Sequence, residues 1–236
     1  VGRYAATCFT GEQQRINFIH RCLCLGGELE NKSESCVQGF LSSLGEDERM
    51  PVLSAAAVGL SAGEQTRLFA CAPFQQSTWR LLDEYREDVR HGYWKAVIPS
   101  WGRHTSADLI EMIDRLLEAM RPRAAFHAVH MDFADIETSR LKRLLRDVAT
   151  VNAEPASHFR LEPYDISEAL DSLQGRAGVT RDDMAQFEFL FIDALDRSEH
   201  GIPNLESQIA ESPEIFVQAV ALAFKRSDAG EDPPEW

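Results

Sequence analysis

Thiol and imidazole side chains near the amino terminus are the first residues of this chain whose types could bind a metal. His20, Cys22 and Cys24 lie within five residues, and Cys36 follows after eleven intervening residues. Cysteine thiolate and histidine imidazole are the usual ligands of zinc, and four of them can close a tetrahedral site. On a helix, however, Cys22 and Cys24 would point about 200° apart. The spacing therefore favours cysteines that are small buried residues, and a zinc site remains the alternative.

A second group that could do chemistry is the pair His127 and His130, followed by Asp132. Two histidines three residues apart can share a helix face, as they do in di-metal carboxylate proteins, and Asp132 could add an oxygen ligand. The chain lacks a matching Glu-rich helix with its own histidine. We therefore expect one histidine to pack and the other to be solvated, with a metal-dependent hydrolase using these three residues as the alternative.

The helical spacing of apolar residues predicts an acid-rich helix over residues 180–195. Paired carboxylates can perform acid–base catalysis when burial separates their pKa values. Asp182 and Asp183, however, fall in the first turn, where acidic side chains complement the helix dipole without any catalytic role. A structural role is therefore favoured. The carboxylates in or next to this segment are Asp182, Asp183, Glu188, Asp193 and Asp196.

A cluster of basic residues stands out in an otherwise acidic chain. A positive helix face could receive an acidic partner or a phosphate group, whereas the alternative is a solvated face paired with neighbouring acids. The residues are Arg121, Arg123, Arg140, Lys142, Arg143 and Arg146.

Composition and missing motifs narrow the functional classes. The chain has 236 residues and a formal net charge of -14, which argues against a general nucleic-acid binder and against an anionic membrane surface. Phosphate-binding loops, a nucleophile elbow and an HExxH zinc motif are all missing from the sequence, so we expect no cofactor and no catalytic residue. The five irregularly spaced cysteines suggest a reducing, cytoplasmic location.

The elements that would position these residues are helices throughout. Apolar residues recur at helical spacing from Ser61 to Arg226, with start signals at Thr105 or Ser106, at Asp135 and at Thr180. Further starts are predicted at a capping box over 165–168 and at Ser-Pro-Glu over 212–214, and 52–60 is predicted to be a helix rather than a strand.

Pairing the predicted helices gives units of roughly 35 to 45 residues, the size of irregular helical repeats. The predicted fold is all-α, an irregular, α-solenoid-like stack of antiparallel helix pairs. Residues 1–60 would form a less regular helical part, 61–226 the repeat array and 227–236 a flexible linker or tail.

Three stretches carry a resemblance: YWKAVIP at 93–99, RPRAAF at 121–126 and ESQIAESP at 206–213. They resemble degenerate helical-repeat segments of large bacterial multidomain proteins, including signal-transduction nucleoside-triphosphatases used in phage defence. The resemblance implies that the chain is part of a longer bacterial protein in which a repeat array senses a ligand. It implies no site residue.

The sequence thus predicts a non-enzymatic recognition or scaffolding module, a fragment of a larger protein, that binds a protein partner or neighbouring domains of the same polypeptide. Aromatic and arginine side chains are the usual anchors of such surfaces. The candidate contacts are Trp79, Tyr93, Trp94, Trp101, Arg140 and Arg143, and for each aromatic residue a place in the core is the favoured alternative. Besides the hydrolase, a structural self-assembly module that docks through an apolar last helix remains an alternative.

Overall fold

The computed structural model describes residues 1–25, 30–100, 105–151, 154, 159–195, 200–212, 217 and 220. Within these residues the chain forms fourteen α-helices and one 3-10 turn, and no β-strand. The prediction of an all-α fold is confirmed, whereas the solenoid-like stacking stays a prediction. None of the described helices is long and apolar enough to cross a membrane.

The helices divide between two compact units, residues 1–100 and 101–236. The first unit holds α1 (Gly2–Cys8), α2 (Glu12–Leu23), α3 (Glu30–Leu41), α4 (Glu46–Ala57), α5 (Ala62–Ala70), α6 (Gln76–Leu82) and α7 (Glu87–Ala96). The second holds α8 (Ser106–Glu118), α9 (Pro122–Val129), the 3-10 turn (Phe133–Asp135), α10 (Thr138–Thr150), α11 (Pro163–Leu173), α12 (Arg181–Leu190), α13 (Ile192–Leu195) and α14 (Pro203–Glu211).

This division differs from the predicted boundary after residue 60, because α5 belongs to the first unit. Arg67 of α5 donates from Nε to Glu34 of α3 at 2.7 Å and from Nη1 to the Leu23 carbonyl of α2 at 3.3 Å. Leu68 and Phe69 are fully buried. A cut at residue 60 would expose that apolar face, so α1 to α7 form one unit.

Close helix packing in the first unit depends on glycines. A Cβ placed on Gly92 of α7 would lie 2.7 Å from Thr66 Oγ1 and 3.1 Å from Thr66 Cγ2 on α5. A Cβ on Gly2 of α1 would lie 2.0 Å from the Cys36 carbonyl oxygen of α3. The contacts of 2.7 Å at Gly92 and 2.0 Å at Gly2 are shorter than a carbon atom tolerates. These helix pairs therefore approach closely only because glycine has no side chain.

Three helices begin with a complete capping box, in which a hydroxyl accepts from the third helical N–H and the acid at that position reaches back. The starts predicted at Thr105 and Thr180 are confirmed. The pairs are Ser61–Glu64, Thr105–Asp108 and Thr180–Asp183.

Two other predicted helix starts are wrong. The box predicted over 165–168 is not the start of α11, which begins at Pro163 and leaves Asp165 in the first turn. Asp135 ends the 3-10 turn instead of capping α10, which begins at Thr138. At α11 the signal that marks the start is Pro163 in the first helical position. The start predicted at 212–214 falls mostly outside the described residues.

Candidate functional site: a groove between α12 and α14

The thiol–imidazole metal site, which the sequence left as an alternative, does not assemble among the described residues. His20 Nε2 lies 2.7 Å from the Ala56 carbonyl oxygen, and Cys24 is exposed. Burial and the neighbouring Cys36 raise the pKa of the Cys22 thiol, which favours the protonated form rather than a thiolate ligand. Across the described residues, no three His, Cys, Asp or Glu side chains are placed to hold a metal ion.

The second metal candidate forms an aromatic stack instead. The rings of His127 and His130 lie 5.4 Å apart at 21°, and the Phe159 ring lies 4.5 Å from His127. Burial, followed by the effect of His130, lowers the pKa of His127. Both histidines are half-buried, so the prediction that one packs and the other is solvated is wrong. Together with Asp132 they make no three-donor group among the described residues, and the geometry gives the hydrolase no support.

The aromatic residues predicted as partner contacts are core residues, and for these three that prediction is wrong. Trp79, Tyr93 and Trp94 are 1%, 0% and 6% exposed. Trp79 donates its indole N–H to the Tyr93 hydroxyl at 3.2 Å, and the Trp79 ring lies 5.0 Å from that of Phe74. The short helices α6 and α7 need these large rings to bury enough apolar surface. Trp101 lies outside the described residues.

The basic residues of α10 are paired with acids. This is the arrangement that the alternative to a binding face, a solvated face paired with neighbouring acids, predicts. Arg140 is held by Asp114 through two bonds of 3.2 and 2.9 Å, and Arg143 lies 3.6 Å from Asp147. Lys142 lies 2.7 Å from Asp183. Charges that are neutralised within the unit leave little net attraction for an acidic partner.

Two buried glutamates, which no local sequence signal marks as caps, contact helix starts that have no side-chain cap of their own. Glu154 accepts from the backbone N–H groups of Arg123 (2.8 Å) and Ala124 (3.3 Å) at the start of α9. It also pairs with the buried guanidinium of Arg121 at 3.3 Å. Burial outweighs these contacts and raises the pKa of Glu154. Helix α9 begins with Pro122 and lacks a side-chain cap, so a distant carboxylate does that work.

Glu188 plays the same part for α14. Its carboxylate is fully buried and accepts from Asn204 Nδ2 and from the Leu205 backbone N–H, each at 2.6 Å. His200, which precedes α14, lies with Nε2 3.9 Å from Glu188 and with Nδ1 2.8 Å from Asp171. The acid-rich segment thus has a structural use, and Asp196 of that segment lies outside the described residues.

This anchoring fixes α14 antiparallel to α12. At one end Glu188 of α12 contacts the first turn of α14, and at the other end Arg181 lies 3.1 Å from Glu211. Gln208 donates to Asp182 at 2.5 Å between these ends. The two helices therefore run side by side in opposite directions and leave one open face.

The open face forms a groove of about 500 Å³. Ala185 and Leu205 are buried in its floor, Phe189 is half-buried, and Asp182 and Gln186 are exposed. The groove is lined by Thr180, Asp182, Asp183, Ala185, Gln186, Phe189, Leu205 and Gln208. We refer to these eight residues as the α12/α14 groove.

Two carboxylates line the groove, Asp182 and Asp183, and Asp183 is paired with Lys142 and Arg146. The bond from Lys142 and those from Thr180 lower the pKa of Asp183 to about 2, so this carboxylate is charged at neutral pH. Of the 38 acidic side chains of the chain, 26 lie in residues 101–236, against 14 of the 24 basic ones. The second unit thus carries a formal charge of -12 out of -14, and a positively charged partner is favoured there.

Comparison of the chain with protein-family models, with curated proteins and with solved structures found no match.

Proposed function

We propose that this chain is a non-enzymatic recognition module and that the α12/α14 groove in its second unit is the surface that binds a protein partner. The observation that carries the proposal is the groove itself, which combines the apolar residues Ala185, Phe189 and Leu205 with the exposed carboxylate of Asp182. It lies on two helices whose relative position is fixed by the contact of Glu188 with Leu205. An aromatic side chain at the centre of such a surface is a common anchor for a protein partner, and Phe189 has that place here.

The partner would be another protein or a neighbouring domain of the same polypeptide. Recognition inside the cell fits the cysteines, because all five are free thiols in this structure. We therefore place the module in the cytoplasm as part of the proposal. The groove replaces the aromatic residues Trp79, Tyr93 and Trp94 as the proposed binding surface, because these three rings lie in the core of the first unit. It also replaces Arg140 and Arg143, which are paired with acids.

Site-specific photo-crosslinking in cells that express the chain naturally tests this proposal. A benzoylphenylalanine at Gln186, which is exposed in the groove, should crosslink to one other protein, and Phe189→Ala should abolish the adduct. The same crosslinker at Arg143, which is 61% exposed on α10, is the matched control and should give no adduct.

Three outcomes would overturn the proposal. Adducts at Arg143 and none at Gln186 would assign recognition to the basic helix α10. Peptide mapping that joins Gln186 to the chain's own residues would show that the groove is filled from within the molecule. No adduct at either position would remove the groove as a recognition surface.

A further inference from the structure

The residues of the groove follow helical spacing on both of its helices. Along α12 four of the five lining residues, Asp182, Ala185, Gln186 and Phe189, follow this spacing, and the fifth, Asp183, is the capping acid of the first turn. Along α14 the lining residues are Leu205 and Gln208. Positions i, i+3, i+4 and i+7 form one continuous stripe on a helix. The groove is therefore the seam between two antiparallel helices, which is the shape into which a third helix packs.

We propose that the occupant is an amphipathic helix with basic residues flanking one large apolar side chain, an inference that rests on the recognition proposal above. The apolar side chain would lie on Ala185 and Phe189, and a Lys or Arg would pair with Asp182. Asp182 is exposed and accepts only one hydrogen bond that the structure shows, from Gln208, so its carboxylate has further acceptor capacity.

The charge of the unit selects the sign of the partner. With a formal charge of -12 in residues 101–236 and with the basic residues of α10 already paired, an acidic helix would meet net repulsion. Nucleic acid is disfavoured for the same reason, because its phosphates need unpaired Lys and Arg. A basic helix gains both long-range attraction and local ion pairs.

Fluorescence anisotropy with a defined probe tests the inference on the full chain. The probe is a labelled 14-residue peptide with leucines at helical i, i+3, i+4 and i+7 spacing and lysines elsewhere, and its control has glutamate in place of every lysine. We expect saturable one-to-one binding of the lysine peptide. The affinity of the glutamate peptide should be lower by a factor of about ten or more.

Variants locate the binding on the groove. Phe189→Ala should weaken the lysine peptide about tenfold, as truncation of a central aromatic contact does. Asp182→Lys should weaken it by a similar factor, because it replaces attraction by repulsion at an exposed position where folding is retained. Glu118→Lys makes the same charge change on α8, at a side chain 69% exposed outside the groove, and should alter binding less than about twofold.

Equal weakening by Asp182→Lys and Glu118→Lys would reduce the binding to general charge attraction and overturn the inference, as would equal affinity for the two peptides. Because Asp182 is exposed, Asp182→Lys stays informative even if Phe189→Ala unfolds the unit. A crosslinked partner at Gln186 together with failure of the lysine peptide would leave the recognition function standing and refute only the partner chemistry.

Discussion

Replacing Glu188 by glutamine should destabilise the second unit through the start of α14. The carboxylate accepts two hydrogen bonds of 2.6 Å, one from Asn204 Nδ2 and one from the Leu205 backbone N–H. These residues are the second and third of a helix whose own flanking residue, Ile202, provides no side-chain cap. Glutamine keeps one carbonyl oxygen, and its NH2 group must then face a donor. One buried donor is therefore left without an acceptor.

The magnitude follows from these contacts. An unsatisfied buried polar group costs about 1–3 kcal/mol, and loss of a negative charge at a helix N-terminus adds about 0.3–1 kcal/mol. We expect Glu188→Gln to lower the free energy of unfolding by about 1–4 kcal/mol. Glu188→Ala leaves both donors and a cavity, and should cost about 3–5 kcal/mol.

The assay must report on the second unit alone, and tryptophan fluorescence does not, because the four tryptophans divide between the two units. Amide hydrogen exchange of residues 203–211 in the full chain measures the local opening of α14 directly. Protection there should fall in Glu188→Gln while residues 62–70 of α5 stay unchanged. Glu206→Gln, an exposed change on the same helix, is the control and should cost less than about 1 kcal/mol. Equal effects of Glu188→Gln and Glu206→Gln would refute the assignment of Glu188 as the cap of α14.

Three more predictions follow from local geometry. Gly92→Ala should destabilise the first unit by about 1–3 kcal/mol in urea unfolding, because the new Cβ would lie 2.7 Å from Thr66 Oγ1. The same change in a Thr66→Ala background should be neutral or stabilising. A penalty of equal size in both backgrounds would refute the clash. Met120→Gly should stabilise the chain by about 1 kcal/mol, because Met120 has φ of 60° at the C-terminus of α8, and an unchanged midpoint would contradict this strain. Folding lowers the pKa of Asp183 from 3.8 to about 2, so the charged carboxylate stabilises the folded state. This stabilisation is fully present above about pH 4 and is lost as the pH falls through about 2. Asp183→Asn should therefore cost about 1 kcal/mol at pH 7 after allowance for solvent screening, and the gap to the unchanged chain should close in acid; a pH-independent gap would contradict the ion pair with Lys142.

Helix existence could be predicted from the sequence because its signals are local. Thr105 and Thr180 each precede an acid by three residues, and both capping boxes form as that spacing predicts. The start of α11 was missed because Asp165 offers a competing cap two residues after Pro163. A proline in the first turn is itself a start signal, and it correctly marks α9 at Pro122.

The candidate site could not be predicted, because it depends on contacts between residues far apart in the sequence. Glu188 looks like one more acid in an acid-rich helix, and only its approach to Leu205, seventeen residues later, makes it a cap. Tryptophan and tyrosine are common both in binding surfaces and in cores, so the residue types of Trp79 and Tyr93 do not distinguish the two. Their burial follows from the packing of α6 and α7, which periodicity alone does not fix.

The most direct test of the groove as the recognition surface is a titration of the ¹⁵N-labelled full chain with the lysine–leucine peptide, followed by backbone amide NMR. Saturable shift changes should concentrate in residues 180–190 and 203–211, the two walls of the groove. Shift changes concentrated on residues 138–150 of α10, or confined to residues 1–100, would contradict the assignment of the groove as the recognition surface.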